Sequence, residues 1–191
     1  IALAEGEATI TVSFAGDNEY VAAEHKTISV TVKLKDASVS VNNNTVNLFV
    51  EETFDIIATT TPEGLNVTYV PDNSGVVSVD ENGIVTALKE GTASIIVKVG
   101  GDGVYTEKSV TVTVTVSKVP TEISVDPSSL DLFVDDSAVI AANLTPADAG
   151  NVTFKSSDDS VVTVDAQGNV VAVGEGSATI TVSFAGDDTY A

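Results

Sequence analysis

Residues 171–191 read VAVGEGSATITVSFAGDDTYA, and residues 1–21 read IALAEGEATITVSFAGDNEYV. A third version, TALKEGTASIIVKVGGDGVYT, occupies residues 86–106. Ala2, Ala87 and Ala172 are evenly spaced, as are Gly6, Gly91 and Gly176, and Tyr20, Tyr105 and Tyr190. The interval is 85 residues each time (87 − 2 and 172 − 87). A fixed period of this size marks one supersecondary unit copied in tandem. Within each copy the apolar residues alternate with Thr and Ser: Ile10, Val12 and Phe14, then Ile95, Val97 and Val99, then Ile180, Val182 and Phe184. That alternation is the signature of a half-buried β-strand.

Working outward, the alternation continues through Val110–Val116, and no stretch has helical spacing. In the last repeat the pattern predicts strands near Thr121–Val125, Ser129–Val134, Ser137–Leu144, Asn151–Ser156, Ser160–Val164, Asn169–Val173 and Gly176–Phe184. Asp80-Glu-Asn-Gly83 and Asp165-Ala-Gln-Gly168 read as hairpin turns, with Gly supplying the left-handed residue. Pro62 and Pro146 end the strands before them. About seven short strands with turns every 8–12 residues indicate a β-sandwich or small barrel.

The alignment divides the chain into three parts. Residues 1–35 are the C-terminal piece of a repeat, ending in a strand at about Thr27–Leu34; 36–118 are a complete repeat; 119–191 are a repeat lacking its final strand. Leu48-Phe49-Val50 matches Leu132-Phe133-Val134 at an offset of 84 (132 − 48), so one residue is inserted in the loop before Asn151. The junctions, Lys33-Leu-Lys-Asp36 and Ser117-Lys-Val-Pro120, lack the length and Gly/Ser content of a flexible tether. They favour a stiff end-to-end rod. Both ends of the sequence fall inside a repeat. A window on a longer array explains this. So does complementation, in which Thr27–Leu34 of a neighbour completes the last repeat. Simple complementation leaves Ile1–Phe14 redundant with Val171–Phe184, so the window is preferred.

The residues Phe154-Lys-Ser-Ser-Asp158, Val161-Val-Thr-Val-Asp165, Gly168, Val170, Ala172, Gly176, Ala178, Ile180 and Val182 resemble the group 2 bacterial immunoglobulin-like domain. The second repeat keeps the pattern from Val76 to Val97, with Tyr69 at the position of Phe154. That position is usually Trp in the family. The resemblance implies an all-β fold of tandem immunoglobulin-like sandwiches in large surface proteins, such as intimin- and invasin-type adhesins, and in some phage virion proteins. It brings no catalytic residues with it.

Composition narrows the function classes. The chain carries 8 Lys, no Arg and 28 Asp plus Glu, for a formal charge of −20. Such a field repels nucleic acid and anionic membranes. There is no Cys, hence no disulfide or thiolate chemistry, and no apolar run long enough for a membrane helix. His25 is the single histidine and sits among Glu and Lys, so a His-based relay or a zinc site is poorly supported. Calcium is the best metal candidate, at Asp135-Asp136, Asp158-Asp159 and Asp187-Asp188. The second repeat has Glu51-Glu52, Asn73-Ser74 and Asp102-Gly103 there, so the two repeats share no multi-carboxylate site. No cofactor is therefore expected. Sequons at Asn43, Asn66, Asn143 and Asn151 are candidate glycosylation sites in a secreted protein. Lys98 and Lys155 fall on the polar phase of their strands, which argues against an isopeptide cross-link.

The sequence thus predicts a non-enzymatic, extracellular adhesin stalk or spacer. Its partners are neighbouring repeats and a host-cell or glycan receptor. The alternatives are a filament or virion subunit that assembles by strand exchange, and a carbohydrate-binding module, for which 5% aromatic residues is a sparse supply.

Overall fold

The computed structural model describes residues 3–191. All regular structure among them is β: eighteen strands and no helix. They group into two compact units, one made of residues up to 46 with 53–86 and 92–114, the other of 47–52, 87–91 and 115–191.

The chain opens with a two-stranded hairpin, β1 (Gly6–Phe14) and β2 (Ala23–Val32), paired with Ile10 opposite Ile28 and Ala8 opposite Val30. The second repeat follows with β3 (Ser38–Val41), β4 (Thr45–Phe49), β5 (Thr53–Asp55), β6 (Ala58–Thr61), β7 (Val67–Pro71), β8 (Val77–Val79), β9 (Ile84–Ala87), β10 (Gly91–Val99) and β11 (Lys108–Ser117). One sheet has the order β4-β11-β10-β7; β3-β6 and β5-β9-β8 form the others. The period-two pattern places one apolar stripe of each strand inward. Val85, Ile95, Val97 and Val99, with Val112 and Val114, are buried to 2% exposure or less. Fully burying one such side chain is worth about 1.5–3 kcal/mol.

The last repeat contains β12 (Glu122–Asp126), β13 (Ser137–Val139), β14 (Ala141–Thr145), β15 (Thr153–Ser156), β16 (Val162–Val164), β17 (Asn169–Ala172) and β18 (Ile180–Ser183). Its ladders reproduce those of the second repeat. Phe154 faces Val182 as Tyr69 faces Val97, and Glu122 faces Thr145 as Ser38 faces Thr61.

Two strand expectations are corrected. Ser129–Val134 is not a strand, although the matching Thr45–Phe49 is. In the second repeat that segment lies beside β11, with Asn44 O accepting from Thr113 N–H and Ser117 O from Val50 N–H. No strand follows β18 among the described residues, so Ser129–Val134 has no ladder to join. For the same reason β18 is four residues long where β10 is nine. Ser137–Leu144 is also two strands rather than one. It breaks at Ile140, whose N–H turns to the Gly168 carbonyl at 2.9 Å.

Candidate interaction loops and surfaces

The phrase Gly-Asp-x-x-Tyr builds the same loop three times. Asp17 Oδ1 accepts the backbone N–H groups of Glu19 and Tyr20, both at 2.8 Å, and Asp17 N–H donates to Tyr20 O at 2.8 Å. Asp102 Oδ1 holds Val104 and Tyr105 at 2.9 and 2.8 Å, and Asp187 Oδ1 holds Thr189 and Tyr190 at 2.8 and 2.7 Å. These are Asx turns, which a short carboxylate side chain makes with its own backbone. Accepting those N–H groups holds the Asp102 and Asp187 carboxyls below the usual carboxylate range.

Each of the two later loops pins the junction segment that leads into its repeat. Lys35 N–H donates to Val104 O at 2.8 Å, and Thr106 N–H donates back to Lys35 O at 2.9 Å. Val119 repeats this with Thr189 O and Ala191 N–H, at 2.8 and 2.9 Å. The Lys35 ammonium stands 5.7 Å from the centre of the Tyr105 ring, within cation–π range. Tyr105 and Tyr190 are half-buried, whereas Tyr20 is exposed. Desolvation, then the Asp148 carboxylate bonded to its hydroxyl, raises the Tyr190 pKa. The pinning residue was not anticipated from sequence. The signal was available, because Lys35 and Val119 stand 84 residues apart, the repeat offset of that region.

The hairpin turns are built equally locally. Asp80 Oδ1 accepts from Asn82 and Ile84 N–H, and Asp165 Oδ1 from Gln167 and Asn169 N–H. Gly83 and Gly168 have φ of 89° and 80°. A side chain there would also strike an aromatic ring, since a Cβ on Gly168 would lie 3.1 Å from Phe154 Cζ.

The calcium candidates are distributed among such turns. Asp136 Oδ2 accepts Phe133 N–H at 3.0 Å, as Glu52 Oε2 accepts Phe49 N–H at 2.8 Å in the second repeat. Asp158 Oδ1 accepts the hydroxyl and N–H of Ser160, which lower its pKa. Asp187 serves the Tyr190 loop. Among the described residues no three His, Asp or Glu side chains converge in a way that suits a metal ion. His25 is exposed on β2, and Lys98 is paired with Glu107 at 3.5 Å on the surface. Lys155 is exposed on β15, and the sequon residues Asn43, Asn66, Asn143 and Asn151 are all exposed. No helix among the described residues is long and apolar enough to cross a membrane.

The family model for the bacterial immunoglobulin-like domain (group 2) matches residues 119–188. That segment is a group 2 bacterial immunoglobulin-like domain. The second repeat carries the same ladders as this immunoglobulin-like domain, with an aromatic residue at the same core position. No curated protein matches the chain in sequence. Among solved structures, the S-layer protein SbsC is 20% identical over 93% of this chain and 33% of its own, with a TM-score of 0.41. Drosophila N-cadherin domains EC1–4 are 15% identical over 90% of this chain and 50% of theirs, with a TM-score of 0.37. The chain spans about a third of the S-layer structure.

Proposed function

We propose that this chain is a non-enzymatic spacer segment of an extracellular, cell-surface adhesin. The observation that carries the reading is that the acidic side chains are engaged in their own turns. The conspicuous carboxylates at Asp17, Asp80, Asp102, Asp158, Asp165 and Asp187 bond their own turns. Side chains that stabilise local turns are a scaffold's use of acidic residues. The surplus of negative charge keeps such a chain soluble and apart from its neighbours. On this reading the repeats need no cofactor or calcium. Their partners are the adjoining repeats, and the receptor-binding groups lie elsewhere on the adhesin.

The test has two arms. Antibody against residues 36–118 should label intact cells, and in-frame deletion of those residues should weaken attachment without changing receptor affinity in solution. Saturable binding of the isolated chain to host cells or to one class of glycan on an array would overturn the spacer reading.

A further inference from the structure

Asn82-Gly83 is the one Asn-Gly step in the sequence. The last repeat has Gln167-Gly168 at the matching place (167 − 82 = 85). The two turns are otherwise built alike, so the difference between them is chemical. Asparagine before glycine is prone to deamidation, because glycine has no side chain to hinder attack by its own nitrogen. That nitrogen loses its proton and attacks the asparagine Cγ. A five-membered succinimide forms, and the side-chain nitrogen leaves as ammonia. Water then opens the ring at one carbonyl or the other, giving aspartate or isoaspartate. Glutamine would have to close a six-membered ring, which is far slower.

The reaction needs the Gly83 nitrogen and the Asn82 side chain both free. The folded turn engages both, and through one residue. Gly83 N–H donates to Asp80 O at 3.2 Å, and Asn82 Nδ2 donates to Asp80 Oδ2 at 3.4 Å. Asp80 Oδ1 accepts Asn82 N–H at 2.9 Å and Ile84 N–H at 2.8 Å, which fixes the carboxylate over the turn. The bond from Ile84 is the main cause that lowers the Asp80 pKa, so the group is ionised at neutral pH. A fixed negative charge at this distance disfavours the amide anion through which Gly83 would attack. Gly83 is also buried, and the Tyr69 ring and Ile56 carbonyl leave no space even for a β-carbon on it. Its nitrogen has little room to move toward Asn82. Asn82 itself is exposed, so water for opening the ring is at hand.

We propose that Asn82-Gly83 is a deamidation site that Asp80 holds closed while the second repeat is folded. The reaction then proceeds only from local openings of the turn. Its product cannot refit. Isoaspartate adds one carbon to the backbone between residues 82 and 83. That displaces Gly83 from the Tyr69 ring and from Ile56, whose N–H donates to Gly83 O at 3.0 Å. An opening that lasts long enough to react therefore damages the second repeat for good, while Gln167 spares the last repeat the same fate.

The experiment uses the 1–191 chain at neutral pH, with peptide mapping by mass spectrometry to follow aspartate and isoaspartate at position 82. The folded parent should convert at least about tenfold more slowly than the same chain in concentrated urea. Asp80→Asn keeps an oxygen for the two backbone N–H groups but loses the charge and the acceptor for the Asn82 amide. It should convert roughly threefold or more faster than the parent. Asp80→Ala removes every side-chain bond of the turn and should convert about tenfold faster. Circular dichroism sets a temperature at which both variants are folded. Asn82→Gln should abolish the conversion at this position. A folded parent that converts as fast as the denatured chain overturns the proposal. So does a folded Asp80→Asn chain that converts at the parent's rate. Neither result touches the spacer reading, which is judged by cell and glycan binding.

Discussion

Tyr69 packs against Gly83, so close that a β-carbon on the glycine would stand 2.7 Å from the ring Cζ. The Tyr69 hydroxyl donates to Ile56 O at 3.3 Å, and Gly83 O accepts Ile56 N–H at 3.0 Å. Ring, turn and neighbouring strand are thereby locked together. Phe154, Gly168 and Ile140 repeat the arrangement without the hydroxyl.

Gly83→Ala and Gly168→Ala should each destabilise their repeat by about 2–4 kcal/mol. Roughly half comes from a non-glycine residue at positive φ and half from overpacking against the ring and against the Ile56 or Ile140 carbonyl oxygen. Thermal unfolding followed by circular dichroism measures this. A loss below about 1 kcal/mol would mean that ring and backbone both yield to the added methyl.

Identical substitutions at matching positions should have unequal effects. Val97 is fully buried and Val182 half-open. Val97→Ala should cost about 2–3 kcal/mol, and Val182→Ala about half that, because less apolar area leaves water at Val182. Chemical denaturation of the two variants decides it, and equal losses would refute the difference in closure.

Acid should unfold the chain through its turns. Asp72, Asp80, Asp102, Asp158, Asp165 and Asp187 all have depressed pKa values, caused mainly by hydrogen bonds from serine hydroxyls, asparagine amides and backbone N–H groups. A carboxyl with a lower pKa when folded binds fewer protons folded than unfolded. Its contribution is complete above the unfolded value and disappears as pH falls through the folded one. The melting temperature should therefore hold at neutral pH and fall below about pH 4. Asp165→Ala should melt lower than the parent at neutral pH, with the gap closing in acid. A gap that is constant with pH would exclude the carboxylate as its source.

Adding a copy of residues 107–118 after Ala191 should raise the melting temperature of the last repeat, since that strand would seal Val134, Ile180 and Val182. Calorimetry on the extended chain measures the effect. No rise in melting temperature would show that the half-open core gains nothing from a strand there.

The sequence by itself determined the all-β fold, the repeat period and the places of the turns. Val-Thr alternation selects strands through the period-two pleat. Asp-x-x-Gly selects tight turns because glycine alone enters the left-handed region without cost. The same local logic made Ser129–Val134 look like a strand, since its pattern matches Thr45–Phe49. Only the tertiary structure decided otherwise. A strand exists by its hydrogen-bond partners, and β11 has no counterpart after β18 among the described residues. Tertiary structure likewise showed what one carboxylate of each acidic pair does locally: Asp136, Asp158 and Asp187 accept hydrogen bonds within their own turns. It also gave two identical ten-residue segments different surroundings. One is a bare hairpin strand and the other the edge of an open sandwich, for burial belongs to what lies opposite a strand and not to the strand itself.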